Sequence, residues 1–102
     1  MAREGTTAYA LPPRLIEAET SGEDRLRKLL ADLPLEIHEA GLLLVLRTLP
    51  GSAHAIAAAL DRARWPEIAG SIAGDDTVFV AVRDRVSLQR AKRRFLRLGE
   101  GS

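Results

Sequence analysis

Two stretches of this chain cannot serve as ordinary half-exposed strands. Leu42-Leu43-Leu44-Val45-Leu46 and Val78-Phe79-Val80-Ala81-Val82 carry an apolar side chain at every position. Successive residues of a strand point to opposite faces, so both faces of each stretch call for burial. A chain of 102 residues buries only about 60–65% of its unfolded surface on folding. Its own helices can cover one face of a small sheet. The other face then presents an apolar surface larger than scattered exposed residues account for. Homo-oligomerisation through the sheet is therefore expected.

The remaining segments supply the other layer. Leu26, Leu29, Leu30 and Leu33 recur at helical spacing after a candidate N-cap at Ser21, with Asp24 three residues on. This predicts a helix over residues 22–33, ended by Pro34. Leu35-Glu36-Ile37-His38-Glu39 alternates as a half-exposed strand should. Pro50-Gly51-Ser52 breaks the first apolar strand, and Ser52 is a candidate cap for a second helix running to about Ala63. Trp65-Pro66 ends that helix, and residues 68–73 lead through a turn into the second apolar strand. Leu88, Ala91, Phe95 and Leu98 mark one stripe of a final helix. The order is α, then β-β-α-β-β-α. It predicts an α+β fold, a two-layer α/β sandwich on a four-stranded, antiparallel-type sheet. Residues 1–20 read as a tail, with residues 5–11 as one short strand and Pro12-Pro13 as an extended linker. A lone strand is not stable by itself, so the tail looks like the end of a further domain, and residues 21–102 form the folded unit.

Composition removes several function classes. There is no cysteine, hence no disulfide framework and no thiolate metal site. No run approaches the roughly 18 apolar residues of a membrane span, and no leader pattern is visible at the start; a cytoplasmic protein with no membrane partner is expected. A net charge of +1 argues against a general nucleic-acid coat. The charge is uneven, however. Between residues 83 and 97, seven basic side chains (Arg83, Arg85, Arg90, Lys92, Arg93, Arg94 and Arg97) face Asp84 alone. A solvated helix face and a supporting phosphate contact are the two explanations.

Gly74-Asp75-Asp76-Thr77 lies at the tip of the second expected hairpin. Two adjacent carboxylates there either shape an Asx-type turn or attract a cation, a guanidinium or a metal. On the second helix, Ile56, Leu60 and Ala63 form the inward face at 100° per residue. His54 and Asp61 lie on the opposite side, seven residues apart, with Ala57 and Ala58 between them. A smooth face with one imidazole and one carboxylate suits a ligand or a subunit contact. His54 also stands near the helix N-terminus, where unpaired N–H groups favour an anion such as a carboxylate. Against a ligand role, His54 is equally a surface residue at a helix start, and Asp61 a salt-bridge partner of Arg64. An acid–base or metal-dependent enzyme using Asp75, Asp76 and His54 lacks a nucleophile or ligand spacing, and adjacent strand residues diverge to opposite faces.

Pro50-Gly51-Ser52-Ala53-His54, Leu60-Asp61 and Gly70-Ser71-Ile72-Ala73-Gly74-Asp75-Asp76-Thr77 resemble, in order and spacing, the C-terminal domain of bacterial arginine repressors, over about residues 21–98. The G-x-I-x-G-D-D-T segment is the distinctive one. The resemblance implies a sandwich that trimerises through its sheet, and a hexamer of two stacked trimers with L-arginine, an effector and not a cofactor, bound between them. It implies that Asp75 and Asp76 grip arginine, that His54 and Asp61 line the pocket, and that Ala53 contributes backbone contacts. The chemistry is apt, because a guanidinium offers five donors in a fixed fork that carboxylates accept with charge assistance. It further implies transcriptional control of arginine biosynthesis, with operator DNA read only by an N-terminal winged-helix domain, of which the tail here looks like the last wing strand. Ser71 stands where threonine is more usual. A purely structural trimerisation module is the alternative.

Overall fold

The two doubly apolar stretches become the two inner strands of the sheet. The computed structural model describes residues 13–99, with side chains from residue 22 onward. The chain runs α1 (Pro13–Asp32), β1 (Glu36–Ala40), β2 (Leu43–Arg47), α2 (Ala53–Ala63), β3 (Ile68–Ala73), β4 (Thr77–Val82) and α3 (Arg85–Gly99). The strands are ordered β1-β2-β4-β3, and every neighbouring pair is antiparallel. This is the α+β order the sequence predicts. The edge strands β1 and β3 carry the polar and small residues, and the inner pair carries the leucines and valines.

One sheet face is the core. Leu44, Leu46, Val78, Val80 and Val82 are buried there against Leu26, Leu30, Ile56, Leu60, Leu88 and Phe95 of the three helices. On the opposite face the pairing register sets Val45 beside Phe79 and Phe79 beside Ile72. Phe79 is 49% exposed and Ile72 76% exposed. The uncovered apolar face expected from the strands is therefore present in the protomer.

A bulge in β3 decides which of its residues face inward. Ile68 pairs with Val82, but the next partner of β4, Ala81, meets Gly70. The extra residue, Ala69, resets the alternation. Ile68, Ser71 and Ala73 consequently share the core side, although 68 and 71 differ by an odd number.

Several boundaries differ from those expected. α1 begins at Pro13, so Ser21 lies inside a helix and does not cap one; proline is well tolerated at a first helical turn. Asp24 bonds instead to Arg27, Nη1 to Oδ1 at 3.0 Å. The expected strand at residues 5–11 and Pro12 lie outside the described residues. Ala57, expected on the outer side of α2, is buried, because α1 packs along that side. The approach there is close. A Cβ on Gly22 would lie 2.6 Å from the Ala63 backbone nitrogen and 2.7 Å from the Arg62 carbonyl carbon. Alanine gains roughly 1 kcal/mol over glycine in a helix interior, but neither obstructing atom can swing away. Gly22→Ala is expected to lower stability by about 1–3 kcal/mol through overpacking. Thermal unfolding followed by circular dichroism checks this, and a stabilised variant would refute the close packing.

Polar groups tie the layers at their margins. The Trp65 indole N–H donates to Glu23 Oε1 at 2.9 Å, Phe95 tilts against the Trp65 ring at 5.0 Å, and the Arg94 guanidinium lies 5.1 Å from that ring's centroid. Lys92 Nζ donates to Glu39 Oε2 at 2.8 Å, and this hydrogen bond holds the Glu39 carboxyl below its ordinary range. Asp84 accepts the Ser87 N–H at 2.7 Å, a side-chain cap on α3 that the sequence reading missed. That backbone hydrogen bond likewise lowers the Asp84 carboxyl.

Candidate functional site

The turn between β3 and β4 is held by a different part of the chain. Gly74 N–H donates to the Thr77 carbonyl at 2.7 Å and closes the hairpin. The loop leaving β2 then wraps the tip. Thr48 N–H donates to the Asp76 carbonyl at 2.8 Å, and Gly51 N–H to the Asp75 carbonyl at 3.0 Å. Gly51 N–H also reaches Asp75 Oδ1 at 3.0 Å. Gly51 holds φ at +84°, a left-handed conformation that glycine adopts without strain.

The same turn caps α2. Ser52 has helical backbone angles and makes no side-chain cap bond, contrary to expectation. A capping hydroxyl normally comes from an extended residue, and Ser52 is not one. The Asp75 carbonyl takes the role instead, accepting the Ala53 N–H at 3.4 Å. Ala53 itself is fully buried, so its backbone, not its methyl group, faces the turn.

Side chains settle around this clamp. Asp76 Oδ1 accepts the Thr77 hydroxyl at 2.8 Å, and its Oδ2 lies 3.6 Å from Arg47 Nη2, both side chains being partly exposed. Asp75 is exposed and uses Oδ1 for Gly51. Asp75, Asp76 and Ala53 thus converge at the N-terminus of α2, with His54 the next residue along. The His54 imidazole is exposed and makes no hydrogen bond or ion pair with the other described residues. Asp61 lies two turns further on, about 10 Å along the helix axis. Its Oδ1 accepts the Ser71 hydroxyl at 2.9 Å, a contact that the β3 bulge makes possible by turning Ser71 inward. Asp61 is therefore brought to the β3 edge and not to the aspartate pair within one protomer. Arg47, Thr48, Gly51 and Ser71 were not singled out for these roles, since each acts through a partner distant in sequence. Thr77, part of the quoted motif, gains a role as a carboxylate donor.

Among the described residues, no group of three or more His, Asp or Glu side chains is placed to hold a metal ion. No described helix is long and apolar enough to cross a membrane.

Fold and site together define a class: a small β-β-α-β-β-α domain whose acidic hairpin tip is locked onto a helix start and whose outer sheet face is left apolar. The chain belongs to the family of arginine repressor C-terminal domains, whose family model matches residues 30–97. It is 43% identical over 102 residues to the arginine repressor of Moorella thermoacetica, covering 98% of this chain and 65% of that protein. It is 41% identical over 100 residues to the arginine repressor of Desulforudis audaxviator, covering 98% and 66%. With that of Heliobacterium modesticaldum it shares 44% identity over 72 residues, 71% of this chain and 48% of that protein. The chain thus spans less than two-thirds of the length of these relatives, which are named as regulators and not as enzymes.

Proposed function

We propose that this chain is a non-catalytic effector-binding and oligomerisation domain of an arginine-responsive transcriptional regulator, and that it takes L-arginine where two of its trimers meet. The observation that carries this reading is the backbone clamp on Asp75 and Asp76. N–H groups of Thr48, Gly51 and Ala53 fix the two carbonyls of the tip, so the adjacent carboxylates are held in place before any ligand arrives. Such preorganisation lowers the ordering cost of binding. The second support is the apolar outer row of Val45, Phe79 and Ile72, a surface suited to joining copies through the sheet. With the sheet consumed in the trimer, the hairpin tips and His54 are left for a second contact, where arginine neutralises clustered aspartates.

A ligand shifts an equilibrium only by its differential affinity for the two states. Arginine favours the assembled form because its guanidinium bridges carboxylates that otherwise repel. Sedimentation velocity with and without L-arginine tests this: trimer is expected to convert towards hexamer, and an unchanged mass distribution would sink the proposal. Citrulline, with the same shape and no charge, is the control and should not drive assembly. One observation favours the structural alternative. The bonds from Gly51 to Asp75 and from Thr77 to Asp76 are also what a turn-shaping role requires. A substitution that keeps these bonds and removes the charge separates the two.

A further inference from the structure

The outer face of α3 is unaccounted for by any of this. The helix carries Arg85, Arg90, Lys92, Arg93, Arg94 and Arg97 and contains no acidic residue. At about 100° per residue, Leu88, Ala91, Phe95 and Leu98 share the core side, and all four are buried. Lys92 and Arg94 fall on the two flanks, where they reach Glu39 at 2.8 Å and Glu67 at 3.7 Å. Diametrically opposite the core, Arg90, Arg93 and Arg97 fall within an arc of about 60°. All three are exposed, and none forms an ion pair with a described residue. The cations that form ion pairs on the flanks are thus segregated from a stripe that forms none with the described residues, Arg90 acting only at longer range on Asp84.

A merely solvated helix face normally interleaves acids with bases three and four residues apart, because like charges at those spacings repel. The exposed basic side chains Arg25, Lys28 and Arg62 follow that rule, since they border a cleft shared with Asp24 and Asp32. The α3 stripe does not. It spans about 10 Å of helix axis, and only at its Arg97 end does it reach a cleft towards α1 that an acid, Glu23, lines together with Arg27 and Arg94. Three exposed guanidinia over about 10 Å of axis are comparable to the phosphates of one strand of a duplex, spaced about 3.4 Å apart.

We infer that the Arg90–Arg93–Arg97 face of α3 is a sequence-independent contact for the phosphate backbone of duplex DNA. The stripe holds no asparagine or glutamine to read a base edge, and Gln89 is turned aside to Glu39 at 3.4 Å. It positions and does not specify. This contact is independent of arginine binding, and the residues concerned lie outside the hairpin–α2 site.

The test is fluorescence anisotropy of the 102-residue protein with a labelled duplex of arbitrary sequence, titrated across roughly 50–200 mM NaCl. Binding is expected to weaken steeply with salt and to be the same for a scrambled duplex. The triple variant Arg90→Gln, Arg93→Gln, Arg97→Gln keeps good helix formers, and should weaken binding at least tenfold at low salt and flatten the log–log salt slope by about 3. Its arginine-driven assembly should be unchanged, which also verifies its fold. The control variant Arg25→Gln, Lys28→Gln, Arg62→Gln removes the same formal charge and should keep the wild-type slope. Three outcomes overturn the inference: no binding by the wild-type chain at low salt, an equal loss in the control variant, or displacement by poly-glutamate as effective as by unlabelled duplex at equal charge. The last would mark the stripe as a surface for acidic polypeptides.

Discussion

Asp75→Asn should reduce the affinity for L-arginine by roughly 30-fold to several-thousand-fold while leaving the fold intact. The substitution is isosteric, and the asparagine carbonyl oxygen can still accept the Gly51 N–H now held at 3.0 Å. The hairpin therefore keeps its clamp, and only the charge is lost. Truncating one partner of a buried, hydrogen-bonded charge pair costs about 2–5 kcal/mol, largely because the other charge is left without compensation. At 1.4 kcal/mol per tenfold, that gives the range stated. In the protomer Asp75 is exposed, so an effect of this size requires the proposed burial between trimers, and calorimetric titration measures it directly. Asp76→Asn should follow the same direction, with an added local effect from losing the contact to Arg47 at 3.6 Å. Arginine affinity unchanged in both variants, with unchanged thermal midpoints, would mean that the aspartates only shape the turn.

Phe95→Ala should cost about 3–5 kcal/mol of stability. Phe95 is 1% exposed and lies where α3 meets Trp65, with ring centroids 5.0 Å apart and planes at 54°. Removing the ring loses its transfer free energy and an aromatic pair, and it opens a cavity that neighbouring helices can only partly collapse. Domains of this size are stable by only about 5–15 kcal/mol, so about a fifth or more of the margin goes. With about 4–8 °C per kcal/mol for a 60–100-residue domain, the melting midpoint should fall by roughly 12–40 °C. The comparison needs equal protein concentrations, because any self-association stabilises the folded state. A fall of only a few degrees would show that α3 does not depend on this contact.

What was legible in the sequence is what periodicity encodes. Leu44 and Leu46 against Leu43 and Val45 announced a strand wanted on both faces, and β2 proved to be an inner strand with an uncovered outer row. The stripe Leu88, Ala91, Phe95 and Leu98 named the buried side of α3 without error, since a helix bent round one core repeats its contacts every three to four residues. Asp75 and Asp76 were found at the hairpin tip for a similarly local reason: a turn must follow where an apolar strand pattern stops.

The misses share a physical cause, which is that periodicity gives a side chain's direction and not what stands opposite. Ser52 has the right chemistry for a cap, yet the Asp75 carbonyl holds the first N–H of α2. Ala57 points outward when the second helix is set against the sheet alone, but α1 covers it. The hydrogen bond from the Ser71 hydroxyl to Asp61 has no sequence signal, because it needs the β3 bulge to turn Ser71 inward.

The sequence by itself determined the order of elements, the doubly apolar inner strands and the acidic turn, because each follows from side-chain spacing within a few residues. Only the tertiary structure decided that the turn is locked by Gly51, 24 residues away, that α1 closes onto α2 through Gly22, and that the cations of α3 divide into ion-paired flanks and an exposed stripe. Those outcomes depend on which surfaces meet across the chain, and contacts between distant residues leave no periodic trace in either one.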